Sequence, residues 1–170
     1  MMKKTCLKEK IGNPELFTGR KRELTYFLNW TQGIKKEISL STAILSRRKT
    51  GKTTLMQRLY NIIFEKNMGV IPFYYEVRKG KRWVVEFCQD FYLTYICQYI
   101  AFRTQKPEYV RMSLSSKKKK FSEALAGARD IGKYLADDIK KVENLVREAR
   151  AGLLWDAVRD TPWTLAPGSR

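Results

Sequence analysis

The sequence contains no histidine, only three cysteines, and half as many acidic as basic residues. Without histidine the chain cannot build a histidine-based catalytic triad or the usual zinc sites. Cys6, Cys88 and Cys97 are odd in number and show no CxxC spacing, so no disulfide framework is expected either. These absences favour a reducing, cytoplasmic setting.

The positive charge is large for the length of the chain. Among 170 residues, 34 Lys and Arg stand against 17 Asp and Glu, a net charge of +17. Such an excess attracts polyanions, namely nucleotides, nucleic acid or an anionic membrane surface. The start, "MMKKTCLKEKIGNPELF", has no apolar run of signal-peptide length, so the sequence predicts a cytoplasmic protein. The length fits one domain.

One apolar segment invites comparison with a membrane span. It is "VVEFCQDFYLTYICQYIAF", residues 84–102, in which Glu86, Asp90, Thr94 and Gln98 recur every four positions. This spacing places one polar stripe along a helix. Two carboxylates on the stripe make a lipid-exposed position costly. We therefore predict a helix packed into a protein core, and no membrane span.

The middle of the chain alternates between helical and strand-like patterns, which indicates an α/β fold. Thr18 has a side chain suited to an N-cap, and after it one helical face carries Leu24, Phe27 and Leu28. Two mainly apolar runs, Ile38 to Ser46 and Gly69 to Val77, predict strands. The predicted order begins with a helix to about Gln32, a strand from Ile38 to Ser46 and a loop. It continues with a helix, a strand from Gly69 to Val77 and a helix from about Trp83 to Arg103. The helix after the loop has four apolar residues on one face, namely Leu55, Leu59, Ile62 and Ile63.

The last third of the chain has a different character. It is charged and helix-prone, and a helical period relates Leu135, Ile139, Val142, Leu145 and Val146. We predict two or three helices there and no strand. We therefore predict one incomplete domain over residues 1–170. It consists of an α/β part over 14–110, a helical part over 111–160 and a turn-rich tail over 161–170.

The stretch "LSRRKTGKTTL", residues 45–55, has the features of a phosphate-binding loop. Gly51 allows backbone N–H groups to approach phosphate oxygens, Lys52 can reach the outer phosphates, and the Thr53 hydroxyl can bind Mg²⁺. The helix predicted to begin there adds the positive end of its dipole. The alternative is a basic strand-to-helix turn that binds nothing.

Two linked motifs resemble the N-terminal part of the archaeal-type ATPases, in the AAA+/STAND group of P-loop NTPases. The upstream "LFTGRKREL" matches the family's F-x-G-R-x-x-E box at Phe17, Gly19, Arg20 and Glu23, and the loop matches G-x-R-R-x-G-K-[ST] from Arg47 onward. The resemblance implies a three-layer α/β/α P-loop fold and binding of ATP with Mg²⁺. It assigns nucleotide contacts to Phe17, Gly19, Arg20, Ser46, Arg47, Arg48, Lys49, Thr50, Gly51, Lys52, Thr53 and Thr54, with Thr53 as the Mg²⁺ ligand.

Ser46 departs from the family pattern, which has glycine at this position. Glycine suits the tight turn there, and serine is one of the least disruptive substitutes. We therefore expect weaker or altered phosphate binding, and not its loss.

The acidic pair that activates water in the family has no evident counterpart. Glu76 ends an apolar run and is the one candidate, although a plain strand-end carboxylate is the alternative. Asp156 follows "GLLW", but its neighbours keep helical spacing. The resemblance implies that the chain stops before the strand bearing the acidic pair, so the sequence favours nucleotide binding without hydrolysis. It also implies that a protein partner or an oligomer would complete the sheet.

Two other classes of function stay open. The charge and the run Lys117 to Lys120 suit a nucleic-acid-binding protein, although the aromatic residues do not alternate with the basic ones. A non-enzymatic interaction protein with long helices is the third class.

Overall fold

A computed structural model describes residues 6–9, 19–77, 80, 83–115 and 120–165. The chain divides into two compact units, Met1–Tyr74 and Tyr75–Arg170. The boundary between these units lies between residues 74 and 75, whereas the sequence analysis placed the start of the helical part at residue 111. The helices are α1 Lys21–Ile34, α2 Lys52–Glu65, α3 Val84–Thr104, α4 Glu108–Leu114, α5 Phe121–Ala128, α6 Lys133–Arg147 and α7 Ala151–Thr164.

The prediction of a three-layer α/β/α fold is wrong. All regular structure in the described residues is helical, and neither Ile38 to Ser46 nor Gly69 to Val77 forms a strand. A strand requires a neighbour for its backbone groups, and a lone strand is not stable in water. The described residues supply no such neighbour. A sheet that a partner would complete is therefore also absent from the described part of the chain.

The first unit is built on the packing of α1 against α2. Phe27 from α1 is buried with Leu55, Leu59 and Ile63 from α2. The three α2 residues recur every four positions, so they lie on one helical face. Five partly buried hydrophobic residues pack around this cluster, namely Leu24, Leu28, Ile44, Met56 and Met68. The two helical faces predicted from the sequence are thereby confirmed.

The segment from residue 38 to 46 joins the two helices without regular structure. Ser39 donates a hydrogen bond from Oγ to the Trp30 carbonyl at 2.6 Å, and Trp30 Nε1 donates to the Leu40 carbonyl at 2.8 Å. Ile44 packs on the helical core. Leu40 and Leu45, by contrast, are 83% and 92% exposed. Side-chain anchors to α1 and α2 thus take the place of sheet pairing.

The N-terminal segment over residues 6–9 is hydrogen-bonded to α2 through the side chain of Asn61. Asn61 accepts a hydrogen bond from the Leu7 N–H at 2.8 Å and donates to the Leu7 carbonyl at 3.0 Å. Its Nδ2 also donates to Glu9 Oε1 at 2.9 Å. Glu9 in turn lies 3.1 Å from Arg58 Nε. Asn61 therefore satisfies backbone groups of Leu7 that burial would otherwise leave unpaired.

The second unit surrounds α3, which packs against α4, α5 and α7. Its middle is buried on nearly every side, from Tyr92 to Phe102, so the predicted core helix is confirmed. No helix in the described ranges is long and apolar enough to cross a bilayer. The predicted polar stripe is only partly a surface stripe, because Thr94 and Gln98 are buried. Thr94 donates to the Asp90 carbonyl and Gln98 donates to Ser113 Oγ.

Helices α3 and α7 run in the same direction. Near their starts the rings of Phe87 and Trp155 lie 6.2 Å apart. Further along, Tyr99 donates a hydrogen bond to the Leu165 carbonyl at 3.3 Å. Both helices therefore begin at the same end of the second unit. The last three helices agree with the prediction for the final third of the chain, and α7 continues past Pro162, although a turn-rich tail was predicted from residue 161.

Helix α6 contributes a half-buried carboxylate, Asp138, to a contact with α3. Tyr92 donates a hydrogen bond to Asp138 Oδ2 at 2.7 Å. Burial raises the pKa of Asp138 above its usual value, against the opposing effects of the Tyr92 hydrogen bond and of Lys141. Leu135, Ile139 and Val142 are fully buried beside it, as their helical spacing predicted.

Candidate phosphate-binding loop

The candidate site is the turn from Ser46 to Gly51 and the first turn of α2. Helix α2 begins at Lys52, directly after Gly51, whose backbone is left-handed with φ 78° and ψ 18°. Lys49 also has a positive φ, at 62°. Glycine adopts such a conformation without steric cost, whereas other residues are strained there. The loop therefore turns sharply where the sequence has its glycine.

Lys52 folds back into the loop that precedes it. Its Nζ donates hydrogen bonds to the Ser46 carbonyl at 2.6 Å, to Ser46 Oγ at 2.9 Å and to the Arg47 carbonyl at 2.9 Å. Three oxygens of the loop thus converge on one ammonium group. The loop is wound around the lysine that the motif assigns to phosphate binding.

Ser46 takes part in this arrangement through its side chain. Besides accepting from Lys52, Ser46 Oγ lies 2.5 Å from the hydroxyl of Thr50, and Thr50 donates to the Arg47 carbonyl at 2.9 Å. The Ser46 side chain therefore joins the two ends of the loop, at a position where the motif of the archaeal-type ATPases has glycine. The motif pattern gave no signal of this contact, because the family has no side chain at that position.

Arg20 connects the upstream motif to the loop. Its Nη2 donates a hydrogen bond to the Thr50 carbonyl, and its Nη1 lies 3.8 Å from Glu23 Oε1. Gly19 and Arg20 both have positive φ, 75° and 48°, which turns the chain into α1. The structure thus brings together two motifs that are thirty residues apart in sequence. Phe17, the remaining residue predicted in the upstream motif, lies outside the described residues.

The loop presents positive charge to solvent. Arg47, Arg48 and Lys49 are exposed, while Lys52, Thr53 and Thr54 are partly buried. None of the four basic residues forms an ion pair with a described carboxylate. No side chain among the described residues caps α2, which leaves its first-turn N–H groups without a described side-chain partner. Cations without a described carboxylate partner and uncapped amides at a helix N-terminus form a favourable environment for a phosphate group.

The two acidic residues considered from the sequence, Glu76 and Asp156, both belong to the second unit. Glu76 belongs to the second unit and is exposed, so its catalytic role stays a prediction. Asp156 is exposed on α7 and lies 3.1 Å from Arg159, as expected of a helix-surface residue. Over the described ranges no cluster of acidic or cysteine side chains could hold a metal ion, so Thr53 remains the predicted Mg²⁺ ligand on sequence grounds alone.

Comparison with protein-family models, with curated proteins and with solved structures gave no match to this chain.

Proposed function

We propose that the loop from Ser46 to Thr54 binds the phosphate groups of a nucleotide, with ATP and Mg²⁺ as the preferred ligand. The observation that supports this most is the position of the Lys52 ammonium group inside a ring of loop oxygens. A ligand phosphate would replace those oxygens as the partner of Lys52. The first-turn amides of α2 would then bind the same group.

The relation to archaeal-type ATPases belongs to this proposal. It rests on the two sequence motifs and on the hydrogen bond from Arg20 to Thr50 that joins them. It does not extend to the fold, because the described residues contain no sheet. The proposed activity is accordingly binding, and we do not extend it to hydrolysis.

The proposal is tested by calorimetric titration of the full chain with Mg·ATP. Lys52→Ala removes the ammonium group, and we expect roughly tenfold to hundredfold weaker binding, the range for loss of a hydrogen bond to a charged group. Lys66→Ala is the matched control, because Lys66 is exposed at the opposite end of α2. Equal affinities for the wild type and Lys52→Ala, with unchanged circular dichroism, would refute the proposal.

A second candidate function is binding to the phosphate backbone of a nucleic acid. The run of exposed Arg47, Arg48 and Lys49 favours it, since consecutive cations bind any phosphate chain by counterion release. Titration of single-stranded DNA at several salt concentrations separates the two. Binding that falls steeply with salt and is indifferent to Lys52→Ala would support the nucleic-acid function over the nucleotide function.

A further inference from the structure

The Lys52 ammonium group uses all of its hydrogen-bond donors within its own loop. An ammonium group has three N–H donors and no acceptor. Lys52 Nζ lies 2.6 Å from the Ser46 carbonyl oxygen, 2.9 Å from Ser46 Oγ and 2.9 Å from the Arg47 carbonyl oxygen. The loop thus supplies one acceptor for each donor. A phosphate group can therefore bind Lys52 only if at least one of these hydrogen bonds breaks.

The hydroxyl groups of the loop close these contacts into a cycle. Thr50 has one hydroxyl proton and donates it to the Arg47 carbonyl oxygen at 2.9 Å. The Ser46 hydroxyl is then the donor to Thr50 Oγ1 at 2.5 Å, since its other acceptor, the Arg47 carbonyl oxygen, is 3.5 Å away. Lys52 donates both to Ser46 Oγ and to the Arg47 carbonyl, which completes the cycle. The Lys52 cycle consists of Ser46, Arg47, Thr50 and Lys52.

The carbonyl groups in the cycle have the wrong orientation for an anion. The carbonyl oxygens of Ser46 and Arg47 are directed toward the Lys52 ammonium group. A phosphate-binding loop presents backbone N–H groups to its ligand instead, and a carbonyl oxygen repels the oxygens of a phosphate. A phosphate group at Lys52 therefore requires these two carbonyl groups to turn away.

Only one end of the cycle is free to make this movement. Thr50 is held from outside, because its carbonyl oxygen accepts a hydrogen bond from Arg20, and it stands two residues before the start of α2. Ser46 and Arg47 are exposed and precede the turn. The structure thus combines a fixed end at Thr50 with an exposed end at Ser46 and Arg47, and the hydroxyl contact between Ser46 and Thr50 joins the two ends.

We propose that the Lys52 cycle is an autoinhibitory latch, and that a nucleotide binds only those molecules in which the cycle is open. This inference rests on the nucleotide binding proposed above and deepens it, because it makes the hydroxyl groups of Ser46 and Thr50 inhibitors of binding. Members of a hydrogen-bond cycle strengthen one another. A ligand that binds only the open form has an apparent affinity reduced by the open fraction.

The main test is calorimetric titration of the full chain with Mg·ATP. Thr50→Val removes the hydroxyl at nearly constant volume and breaks two contacts of the cycle. We expect binding to become at least about fivefold tighter, the factor for loss of one net hydrogen bond from the closed form. Thr50→Ser keeps the hydroxyl and should bind like the wild type. Thr42→Val is the matched control, because Thr42 is exposed in the same irregular segment and lies outside the cycle.

A double variant tests whether the two hydroxyl groups act as one latch. Ser46→Ala and Thr50→Val both remove the hydrogen bond between these side chains. We therefore expect the double variant to gain less affinity than the product of the two single gains. Gains that multiply in full would show two independent contacts and would overturn the cycle.

Hydrogen exchange without nucleotide measures the latch itself. We expect the amides from Arg47 to Gly51 to exchange faster in Thr50→Val than in Thr42→Val, since a larger fraction of the molecules is open. Equal exchange in the two variants would overturn the latch. Retained helical circular dichroism shows that Thr50→Val is folded.

The titration also separates the latch from the proposed function. Binding of Mg·ATP by Thr50→Val that is tighter than in the wild type, or detectable only in the variant, supports the latch. Equal or weaker binding in Thr50→Val overturns the latch and leaves the nucleotide function in place. Absence of binding in the wild type and in every latch variant overturns the nucleotide function, and the latch with it.

Discussion

Arg20 donates a hydrogen bond to the carbonyl oxygen of Thr50 and thereby joins the turn before α1 to the loop before α2. The guanidinium group is partly buried, and Glu23, 3.8 Å away, is its one described acidic neighbour. The backbone of the loop is thus held from outside by Arg20 and from inside by Lys52. Both contacts use a cation and a backbone carbonyl, which gives them more strength than a neutral hydrogen bond has.

Replacing Arg20 with alanine should loosen the loop without unfolding the unit. We expect faster hydrogen exchange of the amides from Arg47 to Gly51 and a smaller loss of Mg·ATP affinity than Lys52→Ala causes, because Arg20 contacts the loop backbone and not the Lys52 position. Arg22→Ala is the control, since Arg22 is exposed on α1. An exchange pattern equal to that of the wild type would show that the contact does not order the loop.

Replacing Ser46 with alanine should strengthen phosphate binding. The Ser46 hydroxyl is one of three oxygens that hold Lys52, and a ligand must compete with it for the ammonium group. Removing one hydrogen bond of about 1 kcal/mol predicts up to about fivefold tighter binding. Calorimetric titration measures this directly. Weaker binding in Ser46→Ala would indicate that the hydroxyl contacts the ligand itself.

Asn61 should be among the most sensitive polar positions of the first unit. Asn61→Leu removes its bonds to the Leu7 N–H and carbonyl and to Glu9, and leaves buried backbone groups unpaired. We expect a loss of about 3 kcal/mol in the free energy of unfolding, measured with urea. Asn29→Leu is the control at an exposed position of α1. Equal stability of the two variants would contradict the role assigned to Asn61.

Asp138 should give the second unit a pH-dependent stability. Since burial raises its pKa in the folded state, folding favours the protonated carboxyl. The favourable contribution is complete below the usual pKa of 3.8 and is lost as the pH rises through the higher folded pKa. Asp138→Asn removes the charge and can still accept the Tyr92 hydrogen bond. We therefore expect this variant to gain stability over the wild type at about pH 7, and to lose that advantage below the usual pKa. Urea unfolding at the two pH values is the measurement, and a constant difference would contradict the assignment.

The helices could be predicted from the sequence because their signals are local. The spacing of Leu55, Leu59 and Ile63 marks the buried face of α2, and the apolar run after Trp83 marks α3. The glycine before Lys52 likewise indicated the loop. These features depend on residues a few positions apart, and the structure agrees with them.

The strands could not be judged in the same way, because a strand depends on a partner elsewhere in the chain. Ile38 and Ile44 have β-branched side chains in a mainly apolar run, yet the described residues provide no strand edge for this run to join. Ile44 instead packs on the helical core and Leu40 stays exposed. The contacts of Arg20 with Thr50 and of Asn61 with Leu7 also span long separations, and no local pattern reveals them. The contact between the rings of Phe87 and Trp155 likewise joins segments that are far apart in the sequence.

The parallel arrangement of α3 and α7 has a consequence for the order of folding. Helices α3 and α4 are neighbours in sequence and in space, so they can associate early, at a small cost in loop entropy. The bond from Tyr99 to Leu165 closes a much longer loop, and contacts of such separation form slowly. We expect α7 to dock last and to detach first, so that the contact between Phe87 and Trp155 forms in the final kinetic step of the second unit.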